Sequence, residues 1–466
     1  KPWLYLLQGR YKPPFAPIQR DLIYVPGMDG AYLGNTSLRP LYINQPVGFV
    51  VKNDEHALQL KDELAEWLFT NEPVELQFDD EPGRTYYAIV QNTIEDFERF
   101  VNLRQGTIQF LCLDPYSYGE EQTIEFQSDS VIIENKGTAE TEPIFELTAK
   151  EPTTFAMVSN GDEYMMVGKP ADIDEQPFEK YERVFYTNAD SLVGWTTASN
   201  SDIDGGIVAG NMVSRNGRFV ADSYGSGSGW HGPAIKTSLS EVIEDFRMKA
   251  NISLWNSTPS QVGRIEIYLL DSLGNAVCKV ALKDTSNGQA NIHAELRAGD
   301  LNDGYYIISE HGGRPGVWNN FSGQLIIERE GNEWYAYVGM VDSTGRHHTR
   351  RIQRWTDTEN KYTRLVSQVV VHIGAHSTHP PFSANSGVSA ISIEKINHEP
   401  EGIPYIANTG DKIVFEHKTG DVYINGESVP FDFGADFFTL KKGFNSLVVL
   451  PENTFDTKIK FREKFR

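Results

Sequence analysis

The stretch "RIEIYLLDSLGNAVCKVALKD", Arg264 to Asp284, decides the fold of the middle of the chain. It contains two apolar runs separated by the turn-forming residues "SLGN", and such runs bounded by turn residues indicate strands. Six more runs of this kind are present: "FRMKANISLW", "GYYIISE", "QLIIERE", "EWYAYVGMVD", "SQVVVHIGA" and "SAISIEKI". Eight strands without a helical pattern between them predict a two-sheet sandwich of jelly-roll type over residues 178–396.

The N-terminal part combines a helix with strands. In "NDEHALQLKDELAEWLFTNEP" either Asn53 or Asp54 can cap a helix that Pro73 ends. The apolar residues that fall on one predicted face of this helix are Ala57, Leu60, Leu64, Trp67 and Leu68. Strand-like runs follow it, so residues 1–128 are predicted to form a small α+β domain.

Two groups of short strands flank the predicted sandwich. "SVIIEN", "IFELTAK", "TFAMVS" and "YMMVG" precede it, and "KIVFEHK", "DVYING", "FFTL", "NSLVVL" and "KIKFREKF" follow it. Four short strands cannot bury a stable core alone. Residues 129–177 and 397–466 are therefore predicted to form one sandwich, which the segment 178–396 interrupts as an insertion.

The glycine-rich stretch "VPGMDGAYLGNT", residues 25–36, has two interpretations. A phosphate-binding loop needs backbone N–H groups at a helix N-terminus, and its Walker form also needs a Gly-Lys-Ser/Thr ending. Neither is present here. Glycine supplies positive φ in turns, so the stretch is predicted to join the arms 22–25 and 39–43 of a β-hairpin.

The overall charge limits the classes of partner. The chain has 466 residues and a formal net charge of −22 at pH 7. Such a field repels nucleic acid and anionic membranes, so neither is an expected partner. The chain has two cysteines, Cys112 and Cys278, both in apolar strand-like runs, which favours buried thiols over a disulfide.

Several stretches near the two ends of the chain resemble the phage distal tail protein (Dit) family. They are "PGMDGAYLGN", "AEWLF", "VELQFDDEPGRTYYAIV", "IVFEHKTGDVYINGE", "FFTLKKGFNSLVVLPENT" and "IKFREKF". Their order and spacing carry the resemblance, which covers residues 1–170 and 403–466.

The resemblance implies a mainly β protein. It implies an N-terminal belt domain at 1–128 that forms a homohexameric ring, and a galectin-like sandwich at 129–177 and 397–466. The insertion at 178–396 resembles the concanavalin-like or laminin-G-like carbohydrate-binding modules of longer, evolved family members.

The resemblance also implies a place and a role. The protein would lie in the virion, at the tail tip or baseplate of a siphophage. As a structural hub it would join the tail tube protein to a tail fibre, a tail-associated lysin or another receptor-binding protein. The insertion would bind host cell-wall polysaccharide during adsorption.

In such a ring the glycine-rich hairpin would contact a neighbouring subunit or the tail tube. Glycine permits a close approach of two backbones. Gly27, Gly30, Tyr32 and Gly34 are the predicted assembly residues.

Aromatic residues in the predicted loops of the insertion indicate a glycan site. Exposed rings can stack on the C–H faces of sugars, and arginine can bind anionic wall polymers through two parallel hydrogen bonds. The residues assigned to this site are Trp230, His231, Trp318, Arg351 and Trp355. Core positions and solvated faces are the alternatives for these tryptophans and for the basic run "GRHHTRRIQRW".

Two motifs invite a metal interpretation. "HIGAHSTHPP" contains His372, His376 and His379, but its glycine and prolines disfavour the helix that would bring two imidazoles together. "DLNDGYY" resembles part of a calcium loop, lacks the later bidentate glutamate and is better explained as a turn. We predict no cofactor and no metal site, with calcium in the insertion left open.

An enzymatic function has little support. The chain contains no G-x-S-x-G and no H-E-x-x-H motif. Glycoside hydrolysis needs two converging carboxylates, which neighbouring acidic residues do not demonstrate. We therefore predict a protein that is not an enzyme; the alternative is a secreted cell-wall glycoside hydrolase or lectin with appended β-sandwich modules.

Overall fold

The computed structural model describes residues 1–91, 98–100, 103–172 and 174–466. The protein is mainly β, as predicted. In the described part of the chain, no helix is both long and apolar enough to cross a membrane.

The N-terminal domain contains α1 (Asp54–Leu68) and nine strands. The strands are β1 (Tyr5–Leu6), β2 (Ile18–Ile23), β3 (Tyr32–Leu38), β4 (Leu41–Val50), β5 (Val74–Gln77), β6 (Thr85–Val90), β7 (Glu98–Phe100), β8 (Leu103–Cys112) and β9 (Ser117–Glu125). The strands β4 and β8 pair along their whole lengths. The helix packs on one face of this pair, against a core that includes Val47, Phe49 and Ile108.

The helix begins as the sequence predicts. The side chain of Asn53 caps it by accepting a hydrogen bond of 2.8 Å from the backbone N–H of His56. Ala57, Leu60 and Leu64 are buried. Trp67, however, is 49% exposed, because it lies at the margin of the apolar face rather than on it.

Short strands precede the insertion, whose own strands form two sheets. The strands that lead up to it are β10 (Ser130–Asn135), β11 (Ile144–Ala149), β12 (Phe155–Ser159), β13 (Tyr164–Gly168) and β14 (Gln176–Phe178). The insertion itself contains β15 (Tyr181–Thr187), β16 (Thr196–Thr197), β17 (Ile207–Val208), β18 (Asn211–Ser214), β19 (Phe219–Ser223), β20 (Trp230–Gly232), β21 (Ala234–Ile243), β22 (Phe246–Leu254), β23 (Gly263–Leu270), β24 (Ala276–Asp284), β25 (His293–Ala298), β26 (Tyr305–Glu310), β27 (Phe321–Glu330), β28 (Glu333–Val341), β29 (His347–Thr356), β30 (Val366–His376) and β31 (Gly387–Ile396). A short 3-10 helix, Asn200–Asp202, lies between β16 and β17.

We call these two sheets A and B. Sheet A has the order β18-β19-β31-β22-β27-β28-β29, and β15 also pairs with β31. Sheet B has the order β16-β21-β30-β23-β24-β25-β26, and β20 joins β17 to β30. One large hydrophobic core fills the space between the sheets. This is the two-sheet sandwich that the run Arg264 to Asp284 predicts.

The remaining strands return to the segment that precedes the insertion. They are β32 (Gly402–Pro404), β33 (Lys412–Glu416), β34 (Asp421–Ile424), β35 (Glu427–Val429), β36 (Gly443–Leu450) and β37 (Phe455–Phe465). One sheet has the order β10-β36-β12-β13, and β37-β11-β33-β34-β35 form the facing layer. Their shared core takes residues from both sides of the insertion, Phe145 and Phe415 among them.

The boundary predicted at residue 128 differs from the strand pairing. β9 pairs with β37 over most of its length but meets β6 at a single residue pair, Thr85 with Tyr118. β9 therefore belongs by its hydrogen bonds to the C-terminal sandwich. The sequence could not indicate this because the two paired strands lie more than 300 residues apart.

The insertion contacts the sandwich from which it emerges. Arg247 lies 3.1 Å from a carboxylate oxygen of Glu427, and Arg346 lies 3.1 Å from one of Glu416. The Arg346 guanidinium also donates a hydrogen bond of 2.8 Å to the hydroxyl of Tyr423. These ion pairs and this hydrogen bond connect the insertion to the sandwich.

A buried histidine makes the sandwich sensitive to acid. Burial lowers the pKa of His417 to about 3, and its Nδ1 accepts a hydrogen bond of 3.0 Å from the Phe438 N–H. The unfolded chain binds this proton near pH 6.5. The stability that neutral His417 contributes is thus complete above pH 6.5 and decreases as the pH falls towards 3.

We therefore expect the denaturant midpoint of the wild-type sandwich to fall more steeply between pH 6.5 and 4 than that of His417→Asn. Asparagine keeps an acceptor for the Phe438 N–H and does not titrate. Urea titrations at pH 7, 5.5 and 4 measure the difference, and equal slopes for the two proteins would contradict the assignment.

Candidate functional site

The hairpin β2–β3 presents many exposed apolar side chains on the N-terminal domain. Its two strands form a sheet of their own, with Leu22 opposite Leu33 and Ile23 opposite Tyr32. Apart from the partly buried Leu38, the exposure of its large apolar side chains ranges from 39% at Met28 to 71% at Tyr24. An isolated two-stranded hairpin is at best marginally stable in water, and exposed apolar patches mark interaction surfaces.

The predicted hairpin is present, but the predicted bounds of its second arm are wrong. That arm is Tyr32–Leu38 rather than 39–43, which comprises the two residues after β3 and the start of β4. Gly27 and Gly30 have φ of +86° and +88°, as turn glycines should. Gly34 lies within β3, where an added Cβ would come 3.0 Å from the Asp21 carbonyl oxygen. Gly27, Gly30, Tyr32 and Gly34 thus share one hairpin.

Trp318 is not a glycan-binding residue. It is 0% exposed within the sandwich core. Its indole N–H donates a hydrogen bond of 3.0 Å to the Thr349 carbonyl oxygen. Its setting in "GVWNNF" resembles a loop, but the large ring fills the space between the sheets. The expectation that this tryptophan stacks on a sugar is therefore wrong.

Trp230 and His231 lie on β20, beside β30. His231 is only 4% exposed. The prediction that it contacts a sugar is therefore wrong. Trp230 is half-buried, with the His376 ring packed edge-on at 4.9 Å and the Arg264 guanidinium 4.7 Å from its centroid. Four strands of sheet B separate β20 from β26, a distance of roughly 24 Å at the usual strand spacing.

Trp355 and Arg351 lie together on β29, the edge strand of sheet A. They are four residues apart and so share one side of the strand. Trp355 stacks on Tyr305 of β26, with centroids 4.0 Å apart and planes 17° apart. Arg351 Nε lies 3.3 Å from Glu310 Oε1, also on β26. The sequence pattern missed Tyr305 and Glu310, because only the fold brings β26 and β29 together.

The outer face of sheet B is covered by a segment that we call the strap, residues 198–210. Asp204 of the strap binds Arg297 through both carboxylate oxygens, at 2.5 and 3.0 Å, and lies 2.8 Å from Lys279 Nζ. The Arg264 guanidinium donates to the backbone carbonyls of Asp204 and Gly205, at 2.9 and 2.6 Å. Every residue of β23 is consequently buried.

Carboxylates beneath the strap are held in their charged form. Burial raises the pKa of Glu266, but Arg264, Lys279 and His372 outweigh it and hold that pKa well below its ordinary value. The pKa of Glu295 is likewise lowered, because Lys279 and Lys283 outweigh its burial. Neither carboxyl has the raised pKa that a general acid for glycoside hydrolysis requires.

The two metal motifs have other roles. The Asp300 carboxylate accepts hydrogen bonds from the N–H groups of Asn302 and Asp303, and Asp303 pairs with Lys361. His372 Nδ1 lies 2.9 Å from the Glu266 carboxylate. Across the described ranges, no cluster of three or more histidine, cysteine or acidic side chains could hold a metal ion.

Cys112 and Cys278 are buried free thiols.

Two family models match the two ends of the chain. Residues 2–112 match a phage tail protein RIFT-related domain, and residues 373–465 match the C-terminal domain of siphovirus-type tail components. A curated relative, the distal tail protein of Bacillus phage SPP1, is 29% identical over 132 residues. Both ends of the chain are therefore similar to siphophage tail proteins. The alignment to that relative spans 27% of this chain and 52% of the relative.

Two solved structures align with the chain at low sequence identity. The SPP1 distal tail protein aligns with 99% of this chain and 94% of its own, at 13% identity and a TM-score of 0.39. The CBM2 module of the evolved distal tail protein of Lactobacillus casei BL23 phage J-1 aligns with 47% of this chain and 98% of its own, at 15% identity and a TM-score of 0.40.

Proposed function

We propose that this protein is the hub of a siphophage tail tip, built as a ring of six copies. It joins the tail tube protein to a tail fibre, a tail-associated lysin or another receptor-binding protein. Its insertion binds host cell-wall polysaccharide during adsorption. The main support for the ring is the hairpin β2–β3. It is an apolar two-stranded sheet that pairs with no other strand among the described residues.

The occupant of the hairpin is a second copy of this chain. A two-stranded sheet with half-exposed leucine, isoleucine and tyrosine side chains gains stability when another surface covers it. In a ring, each hairpin meets the next subunit through a head-to-tail contact that closes after six steps. The similarity of both ends of the chain to siphophage tail proteins favours this occupant over an unrelated protein.

The role of the insertion is binding without catalysis. The lowered pKa values of Glu266 and Glu295 and the strap above them support this proposal. In the competing interpretation, a secreted wall hydrolase, one carboxyl must stay protonated near neutral pH and reach the substrate. Glu266 and Glu295 lie beside cations and are buried, so neither of these two carboxyls can serve as that acid.

Excision of the insertion tests the two halves of this proposal separately. The ends to be joined lie side by side, because β14 pairs with β32 and the Asn397 N–H donates a hydrogen bond of 2.8 Å to the Lys180 carbonyl oxygen. Removal of residues 179–395 and closure with a short Gly/Ser linker should leave a folded protein that still forms rings. Light scattering should give six times the mass of the trimmed chain.

The same trimmed protein should lose sedimentation with purified Gram-positive cell walls, which the full-length chain should retain. Aggregation of the trimmed protein would contradict the nested arrangement at 178–396. Undiminished wall binding would show that the insertion is not the polysaccharide-binding module.

A further inference from the structure

The open edge of the inserted sandwich brings together two pairs of side chains. β26 is the last strand of sheet B and β29 is the last strand of sheet A, so the two run along the same side of the sandwich. Tyr305 and Trp355 form one pair across this edge, and Glu310 and Arg351 form the other. Four residues of an extended strand place the pairs about 13 Å apart. We call this surface the β26–β29 edge.

Both pairs are accessible to solvent. Tyr305 is 43% exposed, so one face of its ring is free while Trp355 supports the other face. The Arg351 side chain is 49% exposed and that of Glu310 is 31% exposed. Gln353, which shares their side of β29, is exposed between them. The edge therefore presents an aromatic platform next to paired hydrogen-bonding groups.

The outer face of sheet B, the other large surface of the insertion, is covered by the strap. The strap binds Arg264, Lys279 and Arg297 on the outer face of sheet B through Asp204 and Gly205. Its apolar residue Ile203 is buried as well. A polysaccharide could reach that face only after these contacts break. At the β26–β29 edge it meets no such obstacle.

Positive charge is concentrated at this edge of an acidic chain. Arg350 and Arg354 extend to the side of β29 opposite Arg351, and the Arg354 guanidinium lies 5.0 Å from the Tyr335 ring centroid. Neither arginine forms an ion pair with any residue that the structure describes. Guanidinium groups in this setting bind carboxylate or phosphate oxygens through paired hydrogen bonds.

We propose that the β26–β29 edge is the contact site for a wall polysaccharide that carries anionic groups, either phosphate or carboxylate. This inference rests on the proposed wall-binding function of the insertion. One sugar ring stacks on Tyr305, and hydroxyls of the following sugars bond to Gln353, Arg351 and Glu310 along the edge. An anionic substituent that reaches around the edge strand meets Arg350 or Arg354.

The experiment measures sedimentation of the full-length protein with cell walls from a panel of Gram-positive strains. Tyr305→Ala should weaken binding about five- to tenfold, because it removes the ring on which the sugar stacks. Tyr305→Phe keeps the ring and should bind like the wild type. Tyr186→Ala is the matched control, because Tyr186 is a tyrosine 55% exposed on β15 beside Arg183, and it should have no effect.

A second variant keeps the proposal testable if Tyr305→Ala fails to fold. Gln353→Glu adds a negative charge at an exposed position and should weaken binding, most strongly at low salt. Hydrofluoric acid removes phosphate polymers from the walls, and amidation neutralises their carboxylates. The treatment that abolishes wild-type binding identifies the anionic group.

Two negative results are distinguishable. If the wild type sediments with no wall in the panel, the proposed wall-binding function fails and the edge site fails with it. If the wild type binds but Tyr305→Ala and Gln353→Glu bind equally well, the polysaccharide contacts another surface and only the edge site is overturned.

Discussion

Replacement of Trp318 by alanine should destabilise the inserted sandwich by about 3–5 kcal/mol, the usual range when a large aromatic side chain is removed from a packed core. The indole ring is 0% exposed, and its N–H group satisfies the Thr349 carbonyl oxygen. The substitution therefore leaves a cavity in the core and removes the hydrogen bond to Thr349. Urea unfolding of the full-length protein, followed by tryptophan fluorescence and far-UV circular dichroism, measures the loss.

Trp67→Ala is the matched control, because Trp67 is 49% exposed on α1. Its unfolding free energy should stay within about 0.5 kcal/mol of the wild type. The sequence alone assigned Trp318 to the glycan site, and from such an exposed position its replacement would weaken wall binding without loss of stability. Normal stability of Trp318→Ala would restore that interpretation and contradict the core position.

The double variant Leu22→Ser/Leu33→Ser should dissociate the ring into monomers. The two leucines lie opposite each other on the hairpin and are 49% and 56% exposed. Serine at these positions removes apolar surface that the next subunit would cover, and each Å² of apolar area no longer buried costs about 25 cal/mol. The effect repeats at every interface of the ring. Light scattering over a range of protein concentrations measures the mass.

Leu273→Ser serves as the control, because Leu273 is 86% exposed on a turn of the insertion. It should leave the ring intact. The double variant should keep the unfolding midpoint of its insertion, since Leu22 and Leu33 lie outside that module's core. A ring of unchanged mass would mean that the hairpin is a free surface and that another element holds the copies together.

The helix and the sandwiches could be predicted because local patterns determine them. Asn53 caps α1 as its side-chain chemistry requires, and the strands of the insertion lie where apolar runs alternate with turn residues. The extent of the hairpin was less predictable. Arg39 and Pro40 follow β3 directly, and a short gap between two strand-like runs does not reveal which run pairs with β2.

The sites could be predicted less well, because they depend on contacts between distant residues. A tryptophan with polar or glycine neighbours gives no indication in sequence of whether it lies in the core, as Trp318 does, or at the sandwich edge, as Trp355 does. Asp204 gave no indication that it would bind Arg297, which is 93 residues away. The hairpin, by contrast, is predicted to be an assembly element from its glycines and from family resemblance, and its exposed apolar side chains are consistent with that prediction.

The mass and symmetry of the unmodified full-length protein test the proposed hub most directly. Multi-angle light scattering combined with electron microscopy of the same sample measures both. The proposed function predicts six copies arranged in a closed ring, with the N-terminal domains at the centre and the insertions outside. A monomer at every concentration, with no ring in the images, would contradict it.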